Sequence, residues 1–229
     1  MGITTRPSGP YGSSEVRETP VVDLDELLVP ESTAVVTMEL QRAVVGDLAV
    51  LSDLRDASAE VGMVDHAAEL CRAARVVGAR VVHCIAVFRP ERVGSAANCR
   101  LLVASAELMG DRMDDGQPGA ELVPELDVAA SDVVVPRHHG LTPFTGTDLD
   151  QTLRNLGVST VVAVGCSLNV GVSGMVMSAV DLGYQVVIPD DAVDGVPLDY
   201  GKAVLTNGLG LLATVVGSRD IIARWEPAG

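Results

Sequence analysis

The sequence has few aromatic and few basic residues. Its 229 residues include one Trp, three Tyr and two Phe, so the core must be built from aliphatic side chains. Short valine-rich runs suit strands that are buried on both faces of a parallel sheet. Lys and Arg number 16 against 31 Asp and Glu, which gives a formal net charge of −15. A chain this acidic repels phosphate backbones and anionic lipids, so we expect neither nucleic acid nor a membrane surface as a partner.

Long apolar runs and cysteine pairs are also absent. No apolar run reaches the roughly 18 residues of a membrane span, and residues 1–20 lack the apolar segment of a secretory signal. The four cysteines form neither a CxxC pair nor a zinc-ligand spacing. We expect Cys71 and Cys84 to be buried thiols and His83 to be a core histidine with its own partners. These features predict a cytoplasmic protein in a reducing compartment.

The pattern of elements predicts the fold class. Residues 1–20 are rich in Gly, Pro, Ser and Thr without periodicity, which predicts a flexible tail before a single domain over residues 21–229. Buried strands alternate with helices in that domain. This alternation predicts a three-layer α/β/α, Rossmann-like fold with a mostly parallel central sheet. The predicted strands span residues 33–39, 79–87, 132–136, 160–165 and 184–189.

Helical periodicity and cap residues mark the helices. Residues 59–77 read as one helix, and Gly78 ends it. Thr147 and Asp150 have the spacing of a capping box at the start of another helix. Residues 199–216 read as the last long helix. A further helix is indicated by the apolar stripe of Val172, Met175, Val176 and Ala179.

The most informative segment is a glycine turn between Gly165 and Gly171. It joins a buried strand to a helix within residues 161–187. In an α/β protein, ligands bind where the carboxyl end of a parallel strand meets the amino end of a helix. Cys166 lies in this turn at the strand end, and we expect it to point away from the site.

Three segments carry a resemblance. Residues 33–41, TAVVTMELQ, form an apolar strand that ends in Glu-Leu-Gln. Residues 132–165, DVVVPRHHGLTPFTGTDLDQTLRNLGVSTVVAVG, hold a strand, a basic residue and the pattern Pro-Phe-x-x-Thr-x-Leu before a helix. The third segment is the turn GCSLNVGV, residues 165–172. In this order and at these separations they resemble the isochorismatase-like hydrolase superfamily, which includes nicotinamidases, carbamoylsarcosine amidohydrolases and isochorismatases.

The resemblance implies where functional groups lie. Members carry an Asp general base, a Lys that steadies charge and a Cys nucleophile; here Glu39, Arg137 and Gly171 stand at those positions. Glycine has no side chain to attack with, so a thioester mechanism through position 171 is excluded. The resemblance also implies a cis peptide bond between Cys166 and Ser167. It further implies that the Ser167 and Gly171 N–H groups form a nest for an anion or oxyanion.

Two roles for Glu39 remain open in the sequence. Isochorismatases within the superfamily keep a glycine at the position of Gly171 and cleave a vinyl ether without a covalent intermediate. The resemblance implies such a hydrolase, with Glu39 as acid/base. Burial would favour a protonated acid, whereas Arg137 would favour the ionised form. Arg137 itself could pair with Glu39 or clamp a substrate carboxylate. The alternatives are an amidase-like hydrolase in which Glu39 activates water, and a non-catalytic binding or regulatory protein.

The remaining expectations concern ligands and partners. Nicotinamidase-like members carry an Asp-His-His metal cluster after the second strand, and residues 88–100 contain no His, so we expect no metal. The glycines at 165, 171 and 174 lack the GxGxxG spacing, so we expect no nucleotide cofactor. The expected partners are a small-molecule substrate and further copies of this chain, as a dimer or tetramer. The residues expected to contact substrate are Gln41, His138, Phe144, Ser167, Leu168 and Asn169.

Overall fold

Six parallel strands form one sheet at the centre of the structure, a computed structural model that describes residues 23–226. The predicted tail at residues 1–20 lies outside the described residues. The strand order is β3-β2-β1-β4-β5-β6, and every neighbouring pair is parallel. The strands are β1 (Thr33–Met38), β2 (Arg80–Ala86), β3 (Val133–Arg137), β4 (Thr160–Gly165), β5 (Gln185–Pro189) and β6 (Thr214–Val216).

Helices cover both faces of the sheet, which confirms the predicted three-layer α/β/α architecture. Alternate strand residues point to opposite faces. Thus Val162 and Val164 pack with α3 and α8, whereas Val161 and Ala163 pack with α5 and α6. The helices are α1 (Leu24–Leu27), α2 (Ser52–Val61), α3 (Met63–Val77), α4 (Arg100–Met109), α5 (Leu149–Asn155), α6 (Gly171–Asp181), α7 (Leu198–Asn207) and α8 (Ser218–Trp225). None of the helices within residues 23–226 is long and apolar enough to cross a membrane.

The strand order places a crevice between β1 and β4. From β1 the chain proceeds through β2 and β3 towards one edge of the sheet, and from β4 it proceeds through β5 and β6 towards the other. Ligands of such sheets bind outside the carboxyl ends of the strands at the point where the order reverses. Met38 pairs with both Cys84 and Gly165, so Glu39 and Cys166 leave their strands side by side at that point.

The sequence predicts five strands to within one or two residues and misjudges two helical regions. Residues 59–77 are not one helix, because Gly62 adopts φ 68° and separates α2 from α3. The predicted helix over residues 199–216 is also wrong: α7 ends at Asn207, and a sixth strand and α8 follow. The three-residue β6 is too short to leave a periodic signal.

The predicted capping box at the start of α5 is not formed. The Thr147 hydroxyl does accept a hydrogen bond from the Leu149 N–H, at 3.2 Å. The Asp150 carboxylate instead accepts one from the Tyr184 hydroxyl, at 2.8 Å, because Tyr184 packs beside the helix. Asp150 therefore ties α5 to the segment before β5.

The expectation for His83 is confirmed. The side chain is fully buried, with Nδ1 2.9 Å from the Thr37 hydroxyl and Nε2 3.3 Å from an Asp132 carboxylate oxygen. Arg75 donates to the same oxygen at 2.6 Å. A hydroxyl, an imidazole and a carboxylate in this order resemble a catalytic triad, but no solvent reaches His83. The cluster therefore joins α3, β1 and β2 structurally.

Candidate active site

A cavity of about 250 Å³ lies at the carboxyl ends of β1, β3 and β4. Glu39, Arg137 and Gly171, which the resemblance placed at functional positions, all line it. Ser167 and Cys166 line it as well. The topology therefore gathers residues more than 130 positions apart in the sequence into one site.

Glu39 is the first residue after β1 and is held in an uncommon backbone conformation. Its φ is 52°, a left-handed value that non-glycine residues adopt rarely and often at functional sites. Its N–H donates to the Cys84 carbonyl at 2.9 Å, which fixes the start of the turn. The side chain is about one quarter exposed, so the carboxylate reaches the cavity without being fully buried.

Arg137, the last residue of β3, forms an ion pair with Glu39. Its Nη2 donates to Glu39 Oε1, and its Nη1 donates to the Gly140 carbonyl. The Arg137 side chain is 7% exposed, so the pair is shielded from water on the arginine side. Charge-assisted bonds of this kind are stronger than hydrogen bonds between neutral groups. Both terminal nitrogens of the guanidinium are engaged within the protein.

The turn after β4 supplies backbone donors. The peptide bond between Cys166 and Ser167 is cis, as the resemblance implied. Within the described part of the chain, neither the Ser167 N–H nor the Gly171 N–H has a hydrogen-bond acceptor. Gly171 begins α6, where the helix dipole adds positive potential. The arrangement is suited to hold an oxyanion.

A side chain at position 171 would press on its neighbours in the present packing. A Cβ built on Gly171 would lie 3.0 Å from Met38 Cε and 3.1 Å from the Cys166 carbonyl oxygen. Both distances are shorter than ordinary contacts between carbon and its neighbours. Met38 is 1% exposed and packed in the core, so the space beside Gly171 is already filled.

Cys166 is the cysteine that lines the cavity. Its Sγ lies 3.5 Å from the Glu39 carbonyl oxygen and 3.8 Å from that of Met38, and the residue is 1% exposed. Burial, followed by the charges of Asp194 and Glu39, raises the pKa of this thiol well above its ordinary value. The thiolate is the nucleophilic form, so Cys166 is a poor nucleophile.

The predicted substrate contacts divide into two groups. Ser167 and Asn169 line the cavity, but the Asn169 amide is engaged with the Val196 backbone through bonds of 2.6 and 2.8 Å. The other four predicted contacts do not line it: Gln41, His138, Phe144 and Leu168.

Each of those four side chains has another partner. Gln41 is fully buried, and its amide exchanges hydrogen bonds with the Ala86 backbone. His138 Nδ1 lies 2.9 Å from the Val87 carbonyl oxygen. Phe144 packs on Tyr184, and Leu168 belongs to the core on the α6 side of the sheet. These residues support the walls of the site without reaching it.

The apolar wall of the cavity is not among the predicted features. Helix α4 contributes Leu101, Leu102 and Leu108, and α2 contributes Leu54. The signal was present as apolar residues at positions 101, 102, 108 and 109, which fall on one side of a helix. In the described chain, no three His, Cys, Asp or Glu side chains come together in a way that could hold a metal ion.

A second, wider depression of about 440 Å³ lies between α3 and α8. Its charged residues, Glu69, Arg72, Arg219 and Glu226, are solvated surface groups of those helices and their flank. Its lining includes neither Glu39 nor Arg137, so we place the chemistry in the smaller cavity.

Comparison with known proteins identifies the family. The model of the isochorismatase domain matches residues 33–220. The chain belongs to the isochorismatase family. The match includes β1, β3 and the turn before α6, so Glu39, Arg137 and Gly171 all lie within the matched domain.

Individual relatives agree with this assignment. The uncharacterized isochorismatase family protein YwoC of Bacillus subtilis is 40% identical over 74 residues, which cover 32% of this chain and 39% of YwoC. The chain thus matches less than half the length of YwoC. The ureidoacrylate amidohydrolase RutB of Pantoea ananatis is 27% identical over 191 residues, 78% of this chain and 76% of RutB. The crystal structure of a cysteine hydrolase from Pseudomonas syringae shares the fold, with a TM-score of 0.72 at 23% identity, and covers 87% of this chain and 94% of that one.

Proposed function

We propose that this isochorismatase-family hydrolase cleaves a small organic substrate without a covalent intermediate and uses Glu39 as its acid/base. The observation that carries the proposal is the Glu39–Arg137 ion pair in a cavity where position 171 offers no nucleophile. Catalysis then depends on one carboxylate and on backbone donors.

Arg137 favours one of the two roles for Glu39. Because the Arg137 guanidinium donates to Oε1 of Glu39, the carboxylate is placed to act first as a base. This supports hydrolysis of an amide by activated water, and RutB, a relative over most of this chain, is named as an amidohydrolase. Protonation of an enol ether, the isochorismatase-type reaction, remains the second candidate because a glycine stands at position 171.

The steps follow from the geometry. Glu39 takes a proton from water, and the water oxygen attacks the carbonyl carbon. The N–H groups of Ser167 and Gly171 stabilise the oxyanion of the tetrahedral intermediate. The C–N bond then breaks, and the protonated Glu39 returns its proton to the leaving nitrogen. The products are a carboxylic acid and an amine or ammonia, and Glu39 is again ionised.

A substrate panel tests the proposal. The protein is incubated with small primary amides, N-carbamoyl compounds and enol ethers, and release of ammonia or of the enol product is measured. We expect turnover of at least one amide class. Ligand binding without turnover of any compound would instead support the non-catalytic binding protein.

We expect thiol-blocking reagents to leave turnover unchanged. Cys166, Cys71 and Cys84 are buried, and burial raises the pKa of Cys71 and of Cys84 to about 12. Iodoacetamide should therefore label Cys99, the exposed cysteine, and label the Cys99→Ser variant hardly at all. The measurement is the rate before and after alkylation. Inhibition that persists in Cys99→Ser and disappears in Cys166→Ala would assign a covalent role to Cys166.

A further inference from the structure

The cavity has no free positive charge to offer an anionic substrate. Among residues 23–226, Glu39 and Arg137 are its only charged lining residues, and they neutralise each other. Recognition of a carboxylate by arginine uses the two-pronged guanidinium fork. Here one prong donates to Glu39 and the other to the Gly140 carbonyl. Each terminal nitrogen of the arginine clamp that the sequence left open therefore already donates one hydrogen bond within the protein.

Few other polar side chains face the cavity. Both ends of the Asn169 amide are hydrogen-bonded to the Val196 backbone. Among the described lining residues, the hydroxyls of Ser105 and Ser167 remain as polar groups for a ligand. The Ser167 hydroxyl and the N–H groups of Ser167 and Gly171 lie at the turn that leads into α6. The Ser105 hydroxyl lies on α4. The site can thus solvate one polar end of a ligand and little more.

The rest of the wall is apolar. Helix α4 and its neighbours place large hydrophobic side chains around the cavity, among them Leu54, Phe88, Leu101, Leu102, Leu108 and Met113. A pocket of this kind binds through burial of apolar surface, and a few polar groups fix the orientation of the ligand. The chain's net charge of −15 further opposes the approach of anions.

We propose that the substrate is an uncharged molecule with one polar reacting end, such as an amide, and an apolar body that lies against α4. This inference rests on the proposed function for the location of the reacting end, at Glu39 and the amide nest. It adds the chemical class of the rest of the substrate, the apolar body, which the leucines of α4 and α2 select.

Isothermal titration calorimetry with matched amides tests the substrate class. The probes are acetamide, butanamide and hexanamide, together with succinamate, which replaces the terminal methyl of butanamide by a carboxylate. We expect affinity to rise about threefold to fourfold per methylene group, the fold-change that corresponds to about 0.8 kcal/mol. Succinamate should bind at least tenfold more weakly than butanamide.

The Glu39→Gln variant tests whether the ion pair with Arg137 excludes anionic ligands. It removes the negative charge beside Arg137 while an amide oxygen can still accept from Nη2, so the guanidinium charge is no longer neutralised and the preference should shift towards succinamate. The rise along the neutral series should persist in this variant, because the apolar wall is unchanged. An unchanged preference for butanamide in Glu39→Gln would show that the ion pair does not exclude anions.

Matched variants on α4 test the apolar wall. Leu108 lines the cavity yet is 46% exposed, so Leu108→Asn should fold normally. It should weaken hexanamide binding about fivefold to tenfold and leave acetamide unaffected. The control is Val103→Asn, because Val103 lies on the same helix, is 40% exposed and does not line the cavity. Equal effects of the two variants would overturn the assignment of α4.

The outcomes separate this inference from the proposed function. Tighter binding of succinamate than butanamide by the wild-type protein, or a flat neutral series, would overturn the substrate class even if amides are hydrolysed. A rising neutral series with no continuous heat of turnover and no ammonia release would leave the substrate class intact and sink the hydrolytic role.

Discussion

Glu39→Gln lowers the turnover of the protein by about 10²–10⁴-fold, the range that general acid–base catalysis contributes. Glutamine has the shape of glutamate but cannot take a proton from water. Its Oε1 can still accept from Arg137 Nη2, so the bond that joins β1 to β3 is retained. We therefore expect the thermal unfolding midpoint to change little while the rate collapses.

The measurement is the initial rate on the best amide of the panel, with circular dichroism to check the fold. Glu121→Gln is the matched control, because Glu121 is an exposed carboxylate that pairs with Arg42 outside the cavity. A Glu39→Gln rate within a factor of two of the wild type would sink the acid/base role of Glu39.

Asp194→Asn stabilises the protein at alkaline pH by roughly 4 kcal/mol. The Asp194 side chain is 1% exposed, and neither carboxylate oxygen has a hydrogen-bond partner among the described residues. Burial raises the pKa of this carboxyl from 3.8 to about 7. Above that pH the native state holds an unpaired buried charge, which an amide of the same shape avoids.

The sign of the pH dependence follows from the same pKa. The native state keeps the proton up to about pH 7, whereas the unfolded chain loses it near pH 3.8. The Asp194 carboxyl therefore contributes its full stabilisation to the wild-type protein below pH 3.8. This contribution is lost as the pH rises to about 7. The difference between variant and wild type should accordingly grow from pH 4 to pH 8.

Urea unfolding at pH 4, 6 and 8 measures this difference. The control is Asp181→Asn, which alters an exposed carboxylate at the end of α6 and should show no such growth. An Asp194→Asn variant that is less stable than the wild type at pH 8 would show that the charged form has a favourable partner.

The strands and the helix after the glycine turn could be predicted because their buried residues follow the spacing of a strand or of a helix in the local sequence. All six residues of β4 are buried, and each of Val172, Met175, Val176 and Ala179 on α6 is buried as predicted. The errors have local causes of another kind. Gly62 divides one apolar pattern into two helices, and β6 forms only because Val187 and its neighbours on β5 present a free edge.

The site was predictable where it depends on strand ends and not where it depends on tertiary packing. Glu39, Arg137 and Gly171 follow from their places in the chain pattern. Tertiary packing decides that Asn169 bonds to Val196 and that Gln41 bonds to the Ala86 backbone, because these partners are distant in sequence. The apolar wall required knowing that α4 folds over the carboxyl edge of the sheet.

The contact between Met38 and position 171 sets the terms on which a thiol could be installed there. A Gly171→Cys variant would bring its Cβ to 3.0 Å from Met38 Cε and 3.1 Å from the Cys166 carbonyl oxygen. The end of a methionine side chain can turn aside, whereas the carbonyl oxygen belongs to the backbone. Such a variant therefore requires Met38 and the turn after β4 to shift by a few tenths of an ångström.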